Sequence, residues 1–589
     1  MAQWFIAAKK ADFSQIAAKY GIDPVIARLI RNRDVIGDED IRKYLKGGRE
    51  DLYAPALLKD MDKAVAILRK KIREGARIRI IGDYDADGIG ASYILLRGMR
   101  LCGARADTVI PHRMKDGYGL NESLIEEAAG EGIDTVITCD NGIAAASQIA
   151  YGKQLGLTII VTDHHEIPYE EMEDGSRKYL LPAADAVVDP KREGCAYPCK
   201  NICGATVAYK LVWQLLEEEK TADRQEVLEE LLEIAALATV CDLMELRDEN
   251  RVIVKCGLEN MRHTRNPGLK ALMEVCGIEA KNISAYHIGF ILGPCMNATG
   301  RLDTAKRALD LLQSRERAEA VEIAAELKNL NDIRKEMTVK GAEEAFAYVE
   351  REGLLADKVL VVYLPDVHES LAGIIAGRIR EKYGRPAFVL TKGEEGIKGS
   401  GRSVEGYHMY EEMTGCKELF TKYGGHKMAA GLSMQEKDVD VFRKKINEKC
   451  RLTEEDLEEK IHIDVAMPLS YLTKKLIEEL ELLEPFGAGN AKPVFAQKDV
   501  HILNGRIMGK NRNVGKYWVT DGSGCYYDMV YFGDLEAFHS FLAKKAGEYM
   551  VNRLYSGERV DIPLSIIYYP DINRYGGKES IQIVMRGYR

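Results

Sequence analysis

Three aspartates stand at alternate positions where an apolar run ends, in the segment IGDYDADGIGAS at residues 81–92. If a strand continued through them, Asp83, Asp85 and Asp87 would share one face, because alternate residues of a strand point the same way. Carboxylates this close repel one another and raise each other's pKa, and a bound divalent cation removes that repulsion. The alternative is an aspartate that caps a helix, with solvated neighbours. Three in a row favour a metal site.

Further metal-ligand residue types follow other short apolar runs. VITCDNG contains Asp140, IIVTDHHE contains Asp163, His164 and His165, and ALATVCDLMEL contains Asp242. Sites in open α/β sheets gather at the carboxyl ends of the strands. Carboxylates with an imidazole suit Mn²⁺, and Mg²⁺ less closely. These ligands are too many for one ion, so we expect two ions about 3.5–4 Å apart that share a bridging carboxylate, activate a water and bind a phosphoryl oxygen.

The elements that must position these residues follow an α/β pattern. Apolar runs such as ARIRIIGDYD, RADTVIPH and LTIIVTDHH alternate with helical segments, which predicts a parallel sheet with helices on both faces. The helix after the first aspartates is expected to begin near Ile89. A charged stretch from 303 to about 353 predicts one or two long helices between two domains. A second βα region begins at DKVLVVYLP, and the Tyr- and Gly-rich region from about 494 predicts a small barrel.

Composition narrows the class of protein. The chain has 589 residues, a hydrophobic fraction of 46% and a net charge of −9. The negative charge argues weakly against a general nucleic-acid coat, without excluding a local basic channel. No apolar run approaches the roughly 18 residues of a membrane helix, and the first residues lack the order of a signal peptide. The 12 cysteines are scattered, which is typical of reduced thiols, so we expect a cytoplasmic protein.

Several motifs, in order, resemble those of one family. TDHH at 162–165, with the aspartates before it, resembles the DHH phosphoesterase superfamily. PCMNATGRL at 294–302 resembles the Asn-Ala-Ala-Gly-Arg segment of that family. GSGRS at 399–403 and GGHKMAAGL at 424–432 resemble its associated second domain, and EPFGAGNAKPVF at 484–495 resembles the stretch before a nucleic-acid-binding barrel. The ordered set covers nearly the whole chain and is similar to that of the bacterial single-strand-specific 5′→3′ DNA exonucleases.

The resemblance implies a role for each matching residue of the metal site. The metal ligands that it implies are Asp83, Asp85, Asp87, Asp140, His164 and Asp242. Asp140 is implied as the bridging carboxylate, and His165 as the catalytic neighbour that faces the phosphate. Asp163 is expected to orient an imidazole. Arg113, in PHRMKDGYGL, matches a catalytic arginine near the scissile phosphate, and the alternative for it is a surface salt bridge.

The second domain is expected to hold the end of the substrate. By resemblance Arg301, Ser400 and Arg402 hold a 5′-terminal phosphate, with His426 and Asn297 as further substrate-binding residues. We expect GSGRS to be a short loop, in which glycine lets backbone N–H groups approach an anion and arginine clamps a phosphate. We expect GGHKMAAG to be a glycine-rich turn ahead of a helix start. The alternative is that both are simple turns.

Two positions depart from the family pattern. Cys295 stands where an arginine is expected, so one phosphate contact is either missing or supplied from elsewhere. Glu369 and Ser370 stand where proline and glycine are common, after a retained His368. Neither departure affects the metal ligands.

The predicted fold class is α/β, with a parallel-sheet DHH domain joined by a long helix to a smaller α/β DHHA1-type domain, then a C-terminal OB-like β-barrel. The predicted parts are an N-terminal helical arm at 1–75, the DHH catalytic domain at 76–305, connecting helices at 306–352, the DHHA1-type substrate-binding domain at 353–462, a connecting segment at 463–493 and the OB-like nucleic-acid-binding domain at 494–589. The barrel is expected to bind a single strand through the basic hairpin loop MGKNRNVGKYW and a few exposed rings.

The resemblance implies hydrolysis of single-stranded DNA from its 5′ end with two Mn²⁺ or Mg²⁺ ions, in DNA repair and recombination. One alternative is a DHH/DHHA1 phosphodiesterase acting on short RNA or cyclic dinucleotides, whose known members lack the N-terminal arm and the barrel. Another is a catalytically silent scaffold, which would have lost metal carboxylates. A pyrophosphatase is disfavoured by the glycine-rich second domain and the barrel. We expect a monomer that binds single-stranded DNA, with a helicase and a single-strand-binding protein as partners and no membrane.

Overall fold

The computed structural model describes residues 3–112, 119–172, 174–217, 223–302, 304–393, 396–509, 512–575 and 577–589. The contacts of the chain divide it into two units. The first is chiefly residues 54–242 and 259–459, and the second is residues 4–53, 243–258 and 460–589. Within the described ranges, no helix has the length and apolar character needed to span a bilayer.

A five-stranded parallel sheet forms the centre of the first unit, which confirms the predicted fold class. Its spatial order is Arg105–Val109, Arg77–Ile81, Thr135–Cys139, Thr158–Thr162 and Ala186–Val188. The central strands are buried along almost their whole length because both faces of the sheet are covered, as is usual for parallel sheets. A short exposed hairpin, Tyr169–Glu171 with Arg177–Tyr179, follows the fourth strand of this order.

Helices surround this sheet and extend from it. They are Met61–Arg73, Ala86–Leu101, Glu122–Gly130, Ala146–Gln154, Gly204–Leu216, Arg224–Cys241, Pro267–Val275, Ala285–His287, Gly293–Leu302, Lys306–Gln313 and Arg317–Arg351. The helix expected near Ile89 begins three residues earlier, at Ala86, because Asp85 caps it. The 35-residue helix Arg317–Arg351 confirms the long helix predicted between two sheets.

A second sheet of five strands lies in the same unit. Its order is Phe420–Gly425, Ala429–Met434, Gly396–Arg402, Ala387–Gly393 and Leu360–Tyr363, and only the last two are parallel. Helices Ala372–Tyr383, Met409–Thr414, Val439–Lys449 and Glu454–Leu457 accompany it. Two expectations were wrong here. GSGRS lies mostly in the central strand rather than in a loop, and GGHKMAAG forms the hairpin between the first two strands and starts no helix.

The second unit contains a closed β-barrel, as the Tyr- and Gly-rich C-terminal region predicted. Its strands are Phe495–Met508, Val514–Thr520, Tyr526–Tyr531, Lys578–Tyr588 and Ile562–Tyr575, and the first also pairs with the last, which closes the ring. Strand Val465–Ala466 adds to one edge, and Gln3–Ile6 pairs with Lys460–Ile463. The helices of this unit are Phe13–Tyr20, Pro24–Asn32, Asp38–Lys46, Lys474–Leu480, Leu535–Ala546 and Glu548–Tyr555, and Asp248–Met261 begins here.

The N-terminal helices and the barrel bury one common core. Ile26, Leu29 and Ile41 belong to the same buried cluster as Ile502 and Tyr568 of the barrel. The barrel therefore shares its hydrophobic interior with residues that stand more than 400 positions earlier in the chain.

Arg251 fastens several chain segments of the second unit together. Its side chain is 2% exposed and stacks 3.9 Å from the centre of the Tyr44 ring. Its guanidinium donates to five backbone carbonyls, those of Tyr44, Leu482, Leu483, Glu484 and Pro485. All of these hydrogen-bond acceptors are neutral, and burial lowers the pKa of Arg251. Removing the guanidinium would leave a group of buried carbonyls without donors, which is costly.

We predict that Arg251→Met lowers the unfolding free energy of the second unit by about 1–3 kcal/mol, the usual cost of leaving buried acceptors without a donor. Urea denaturation of the full chain measures this change. Arg574→Met in the same unit removes an exposed ion pair with Glu579 and should leave the transition unchanged. A shift for Arg251→Met no larger than for this control would contradict the assigned role.

Candidate metal centre and phosphate-binding surface

The register of the parallel sheet brings the ends of its strands together. Ile81 pairs with Thr138, Cys139 pairs with Thr162, and Thr162 pairs with Val188. The residues that follow these positions therefore leave the sheet at one edge. They include the acidic and histidine residues singled out in the sequence, so the topology itself assembles the site.

The first three aspartates reach this edge in a different way from the one expected. The strand ends at Ile81, so Asp83, Asp85 and Asp87 do not share a strand face. Asp85 is the N-cap of helix Ala86–Leu101, and its carboxylate accepts from the backbone N–H of Asp87 at 2.9 Å and of Gly88 at 3.1 Å. The capping alternative is thus correct for Asp85. Asp83 and Asp87, by contrast, are each only 1% exposed and are not solvated neighbours.

Asp87 is held by the start of a second helix. The backbone N–H groups of Gly204 and Ala205 each donate to its carboxylate at 2.7 Å. A helix N-terminus presents free N–H groups and a positive dipole end, which stabilise a carboxylate. Position 204 must be glycine, because a Cβ there would lie 2.6 Å from the Cβ of Asp140.

Asp140 occupies the centre of the cluster. It is 2% exposed and has a φ of 60°, a left-handed conformation that aspartate and asparagine tolerate better than most residues. His164 Nε2 lies 3.0 Å from a carboxylate oxygen of Asp140, 3.6 Å from Asp87 and 3.8 Å from Asp242. Asp242 itself is the C-cap of helix Arg224–Cys241.

Two sets of three ligand atoms emerge from this arrangement. Within each set the ligand atoms lie within 4.8 Å of one another. One set is Asp83, Asp85 and Asp140, and the other is Asp87, His164 and Asp242. Asp140 also groups with His164 and His165. Its carboxylate is therefore the one placed to touch both sets, as expected for a bridging ligand of two hard cations.

The pKa values of the carboxyl groups in this cluster are raised by burial and by the repulsion between them. Burial and the charge of Asp87 raise the pKa of Asp85, and they raise the pKa of Asp140 well above its usual range. Burial, with the charges of Asp87 and Asp85, raises the pKa of Asp242 to about 8. Burial lowers the pKa of His164, which favours the neutral imidazole that a metal ligand needs. The chemistry of this donor set fits divalent cations.

His165 has a different environment from His164. Its Nδ1 lies 2.7 Å from Asp163, and its side chain is 42% exposed. Burial alone would lower the pKa of His165, but the hydrogen bond and charge of Asp163 raise it to about 9. Asp163 also accepts from the backbone N–H groups of Ile143 and His165. A fixed, charged imidazole therefore lies at the open side of the cluster.

Helix Gly293–Leu302 supports the aspartate loop. The backbone N–H of Ala86 donates to Asn297 Oδ1 at 2.8 Å, so this amide oxygen positions the loop. A Cβ at Gly300 would lie 2.5 Å from the carbonyl oxygen of Tyr84, which explains why the close approach needs glycine. The sequence pointed to Asn297 as a substrate ligand and gave no sign of this supporting contact.

The same helix reaches the second sheet through Arg301. Its Nη1 donates to the carbonyl of Ser370 at 2.6 Å, just before helix Ala372–Tyr383. Arg402 lies against that helix too, since a Cβ at Gly373 would be 2.6 Å from its Nη2. Burial, and then the charge of Arg380, lower the pKa of Arg402. Two arginines thus meet at one helix N-terminus.

The remaining predicted substrate residues are spread more widely. Ser400 is two positions before Arg402 on the same strand, and it lines a cavity of about 330 Å³ with Lys398 and Lys422. His426 is exposed in the hairpin turn, and the pairing of Arg402 with Ala429 puts that turn beside Arg402. Arg113, like Lys510 of the barrel loop, lies outside the described residues.

The two positions that depart from the family pattern make specific contacts in the structure. Cys295 is buried, with its sulfur 3.9 Å from that of Cys276, and accepts from the side-chain amide of Asn331. Arg334 donates twice to the same Asn331 side chain. Position 295 therefore packs into a helix interface. Glu369 pairs with Lys398 at the edge of the cavity.

One acidic residue was missed in the sequence. Asp189 follows strand Ala186–Val188 and is fully buried, with one oxygen accepting from the backbone N–H of Lys191. Burial raises its pKa to about 7. The rule that singled out Asp140 and Asp163, an acid directly after an apolar strand, would also have found it in ADAVVDP.

Three family descriptions match the chain in order. Residues 77–239 match the N-terminal domain of the DHH family, residues 356–452 match the DHHA1 domain, and residues 463–587 match the RecJ OB domain. The family domains thus follow the order parallel sheet, second sheet and barrel.

Named relatives agree over most of the chain. The single-stranded-DNA-specific exonuclease RecJ of Escherichia coli is 31% identical over 591 residues, which cover 96% of this chain and 95% of that protein. The RecJ of Bacillus subtilis is 36% identical over 506 residues, 85% of this chain, and the match spans 62% of that longer relative. The crystal structure of RecJ in complex with Mn²⁺ from Thermus thermophilus superposes with a TM-score of 0.81 at 26% identity, covering 100% of this chain and 79% of that one.

We predict that Mn²⁺ binding at pH 7 releases protons, because the metal-free site holds a proton on Asp242, whose pKa is raised to about 8. Protons compete with the metal, so the apparent affinity should rise with pH and level off above about 8. Isothermal titration calorimetry in buffers of different ionisation enthalpy measures the release.

The variant Asp242→Asn is the matched control and should release fewer protons. The raised pKa values also mean that these carboxyls bind more protons in the metal-free native state than in the unfolded chain. Their contribution to the stability of the metal-free protein should therefore fall as pH rises above the unfolded value of about 3.9. Metal binding without proton release at pH 7 would contradict these pKa directions.

Proposed function

Because this chain belongs to the RecJ family of single-stranded-DNA-specific exonucleases, we propose that it hydrolyses single-stranded DNA from the 5′ end with two bound Mn²⁺ or Mg²⁺ ions. The observation that carries the proposal is the pair of ligand sets that meet at Asp140. Such a pair of ions, when bound, supplies an activated water and positive charge beside the scissile phosphate.

We assign the protein groups as follows. Asp83, Asp85 and Asp140 would hold one ion, and Asp87, His164 and Asp242 would hold the other, with the Asp140 carboxylate placed between the two sets. His165, whose ring is fixed by Asp163, would face the phosphate and stabilise negative charge on its oxygens. Arg113 remains proposed as a second cation near that phosphate.

The 5′→3′ direction of hydrolysis follows from the residues that we propose to hold the terminal phosphate. Arg301 and Arg402 meet at the N-terminus of helix Ala372–Tyr383, where a terminal phosphate would gain two guanidinium contacts and the helix dipole. Ser400 and His426 border this place. Asn297 and Arg301 stand four residues apart on one helix, about 6 Å along its axis. The helix therefore fixes the distance from the terminal phosphate to the aspartate loop.

The barrel is proposed to hold the strand beyond the catalytic unit. Trp518 and Tyr526 lie on neighbouring strands with ring centres 4.8 Å apart and are 44% and 48% exposed. Stacked, exposed rings on this face of an OB-type barrel suit unpaired bases. The matched barrel domain also disfavours a phosphodiesterase for short RNA or cyclic dinucleotides.

We also propose how the chain is divided into parts, and where and with which partners the protein acts. The six parts bounded at 75, 305, 352, 462 and 493 remain our working division. We propose that the protein acts as a monomer in the cytoplasm, in line with its free cysteines, alongside a helicase and a single-strand-binding protein in DNA repair and recombination.

The function is tested with oligonucleotides labelled at either end, incubated with Mn²⁺. A 5′ label should appear at once in mononucleotides, whereas a 3′ label should pass through a ladder of shortened strands. Duplex DNA with blunt ends should resist. The opposite label order, or equal cutting of the duplex, would contradict the proposal.

We predict that Asp140→Asn lowers the rate of Mn²⁺-dependent hydrolysis by more than about 100-fold. Substituting a residue that only supports a metal ligand already lowers activity about 10–100-fold, and Asp140 is itself a proposed ligand. Asparagine keeps the volume and tolerates the φ of 60°, and one repelling charge is lost, so the thermal midpoint should not fall. Steady-state assays and calorimetry measure both. Asp174→Asn, on the exposed hairpin, is the control. Near-normal turnover in Asp140→Asn would refute the shared ligand.

We predict that Arg402→Ala weakens binding of 5′-phosphorylated strands by about 1.5–3 kcal/mol, the value of a hydrogen bond to a charged group. Strands with a 5′-hydroxyl should lose much less. Fluorescence anisotropy with both strands measures the difference. Arg378→Ala removes an exposed arginine of the same sheet's helix and should affect neither strand. An equal loss for the two strands would show that Arg402 does not contact the terminal phosphate.

We predict that Trp518→Ala and Tyr526→Ala each weaken binding of long single strands by about 1–3 kcal/mol, the value of one stacked base. The salt dependence of binding should not change, because no charge is removed. Tyr549→Ala, which removes a more exposed ring from helix Glu548–Tyr555, should have no effect. Identical affinities for all three variants would exclude this ring pair from the strand's path.

A further inference from the structure

Two large aromatic side chains in the catalytic unit are exposed to solvent and stacked on each other. Tyr286 is 62% exposed and Phe290 is 68% exposed. Their ring centres are 5.0 Å apart and their planes are inclined by 27°. A folded protein rarely leaves two adjacent rings uncovered without use, since each could be buried with gain.

The pair stands on a helical stretch that leads to the metal centre. Residues 285–302 form continuous helical structure, with one turn of π-helix at Ile288–Leu292. Its inner side passes the helix that ends at Asp242. A Cβ at Gly289 would be 3.4 Å from Val240, and one at Gly293 would be 2.3 Å from the sulfur of Cys241.

The same stretch then reaches the aspartate loop, where Asn297 accepts from Ala86. At 1.5 Å per residue, Phe290 and Asn297 are separated by about 10 Å along the helix axis. The rings therefore stand within a few nucleotides of the ligand cluster. Single π-turns are uncommon and are frequent at functional sites.

We propose that Tyr286 and Phe290 form a stacking platform for an unpaired base of the substrate strand next to the metal centre. This inference rests on the proposed function. The two rings lie nearly parallel, so an outer ring face remains open to a base, and base–ring stacking does not depend on sequence. A patch of two rings is far below the roughly 1,200 Å² that a specific protein interface buries, which disfavours a protein partner.

The platform also supplies a reason for strand selectivity. In a duplex each base is already stacked between its neighbours, and both of its faces are covered. A base can lie on the rings only after it has left the helix. Duplex ends would thus forgo this contact, whereas a single strand makes it without unpairing.

The test uses the full chain and measures binding in EDTA, so that no strand is cut. Tyr286→Ala and Phe290→Ala should each weaken binding of a 5′-phosphorylated single strand about 5- to 150-fold, which corresponds to one lost base stack. Phe290→Leu, which keeps the apolar volume but not the flat face, should behave like the alanine variant. Phe290→Trp should bind as well as the unaltered protein. Tyr179→Leu, an exposed ring on the hairpin, should change nothing.

A series of strands with a single abasic site, moved one position at a time from the 5′ end, identifies the contact. The unaltered protein should lose affinity at one position, and the double variant Tyr286→Ala, Phe290→Ala should not respond to that position, since the stacked pair has already been removed. Unchanged affinity of the alanine variants, or an abasic penalty that persists in the double variant, would overturn the platform.

The experiments distinguish a failure of the stacking platform from a failure of the proposed function. If the unaltered protein degrades single strands from the 5′ end while the ring variants bind normally, the inference alone is wrong. If it does not degrade them, the proposed function is wrong, and the abasic series still reports whether the rings contact a base.

Discussion

The mutual repulsion of buried carboxylates at one edge of a sheet is the constraint on which the rest of the structure depends. Asp83, Asp87 and Asp140 are almost completely buried, and neutral His164 stands among them. Without cations, burial and mutual repulsion raise the pKa values of Asp85, Asp140 and Asp242, and backbone N–H groups at two helix N-termini support Asp85 and Asp87. Two bound divalent cations would relieve this repulsion. Metal affinity and fold stability are therefore linked properties of this chain.

Helix Gly293–Leu302 connects the cluster of metal-ligand residues to the residues proposed to hold a terminal phosphate. Asn297 supports the aspartate loop, and one turn later Arg301 binds the backbone next to the helix that Arg402 also touches. The two ends of the proposed reaction, bond cleavage and recognition of a terminal phosphate, are thereby tied to one rigid element. The stacked rings proposed as a base platform belong to the preceding turns of the same helical stretch.

The sequence predicted the parallel sheet, the long helix and the barrel because each depends on a local pattern. These patterns are short apolar runs between helices, a long charged stretch without helix breakers, and short strand-like runs rich in tyrosine and glycine. It also gathered the metal-ligand residues, since acids directly after buried strands must meet at one edge. It failed where the outcome depends on distant partners. GSGRS became a strand because Ala387–Gly393 and Ala429–Met434 flank it. The cap formed by Asp85 is local, with N–H donors two and three residues away, and it is the alternative that the sequence had already offered. The contacts of Arg251 and Asn297 join segments far apart in sequence, which no local pattern records.

The central claim is that this cluster binds two cations at two defined ligand sets. Anomalous diffraction from crystals of the protein soaked in Mn²⁺ tests it most directly. We expect two peaks about 3.5–4 Å apart. One should contact Asp83, Asp85 and Asp140, and the other Asp87, His164 and Asp242. A single peak at saturating Mn²⁺, or peaks away from these ligands, would contradict the account.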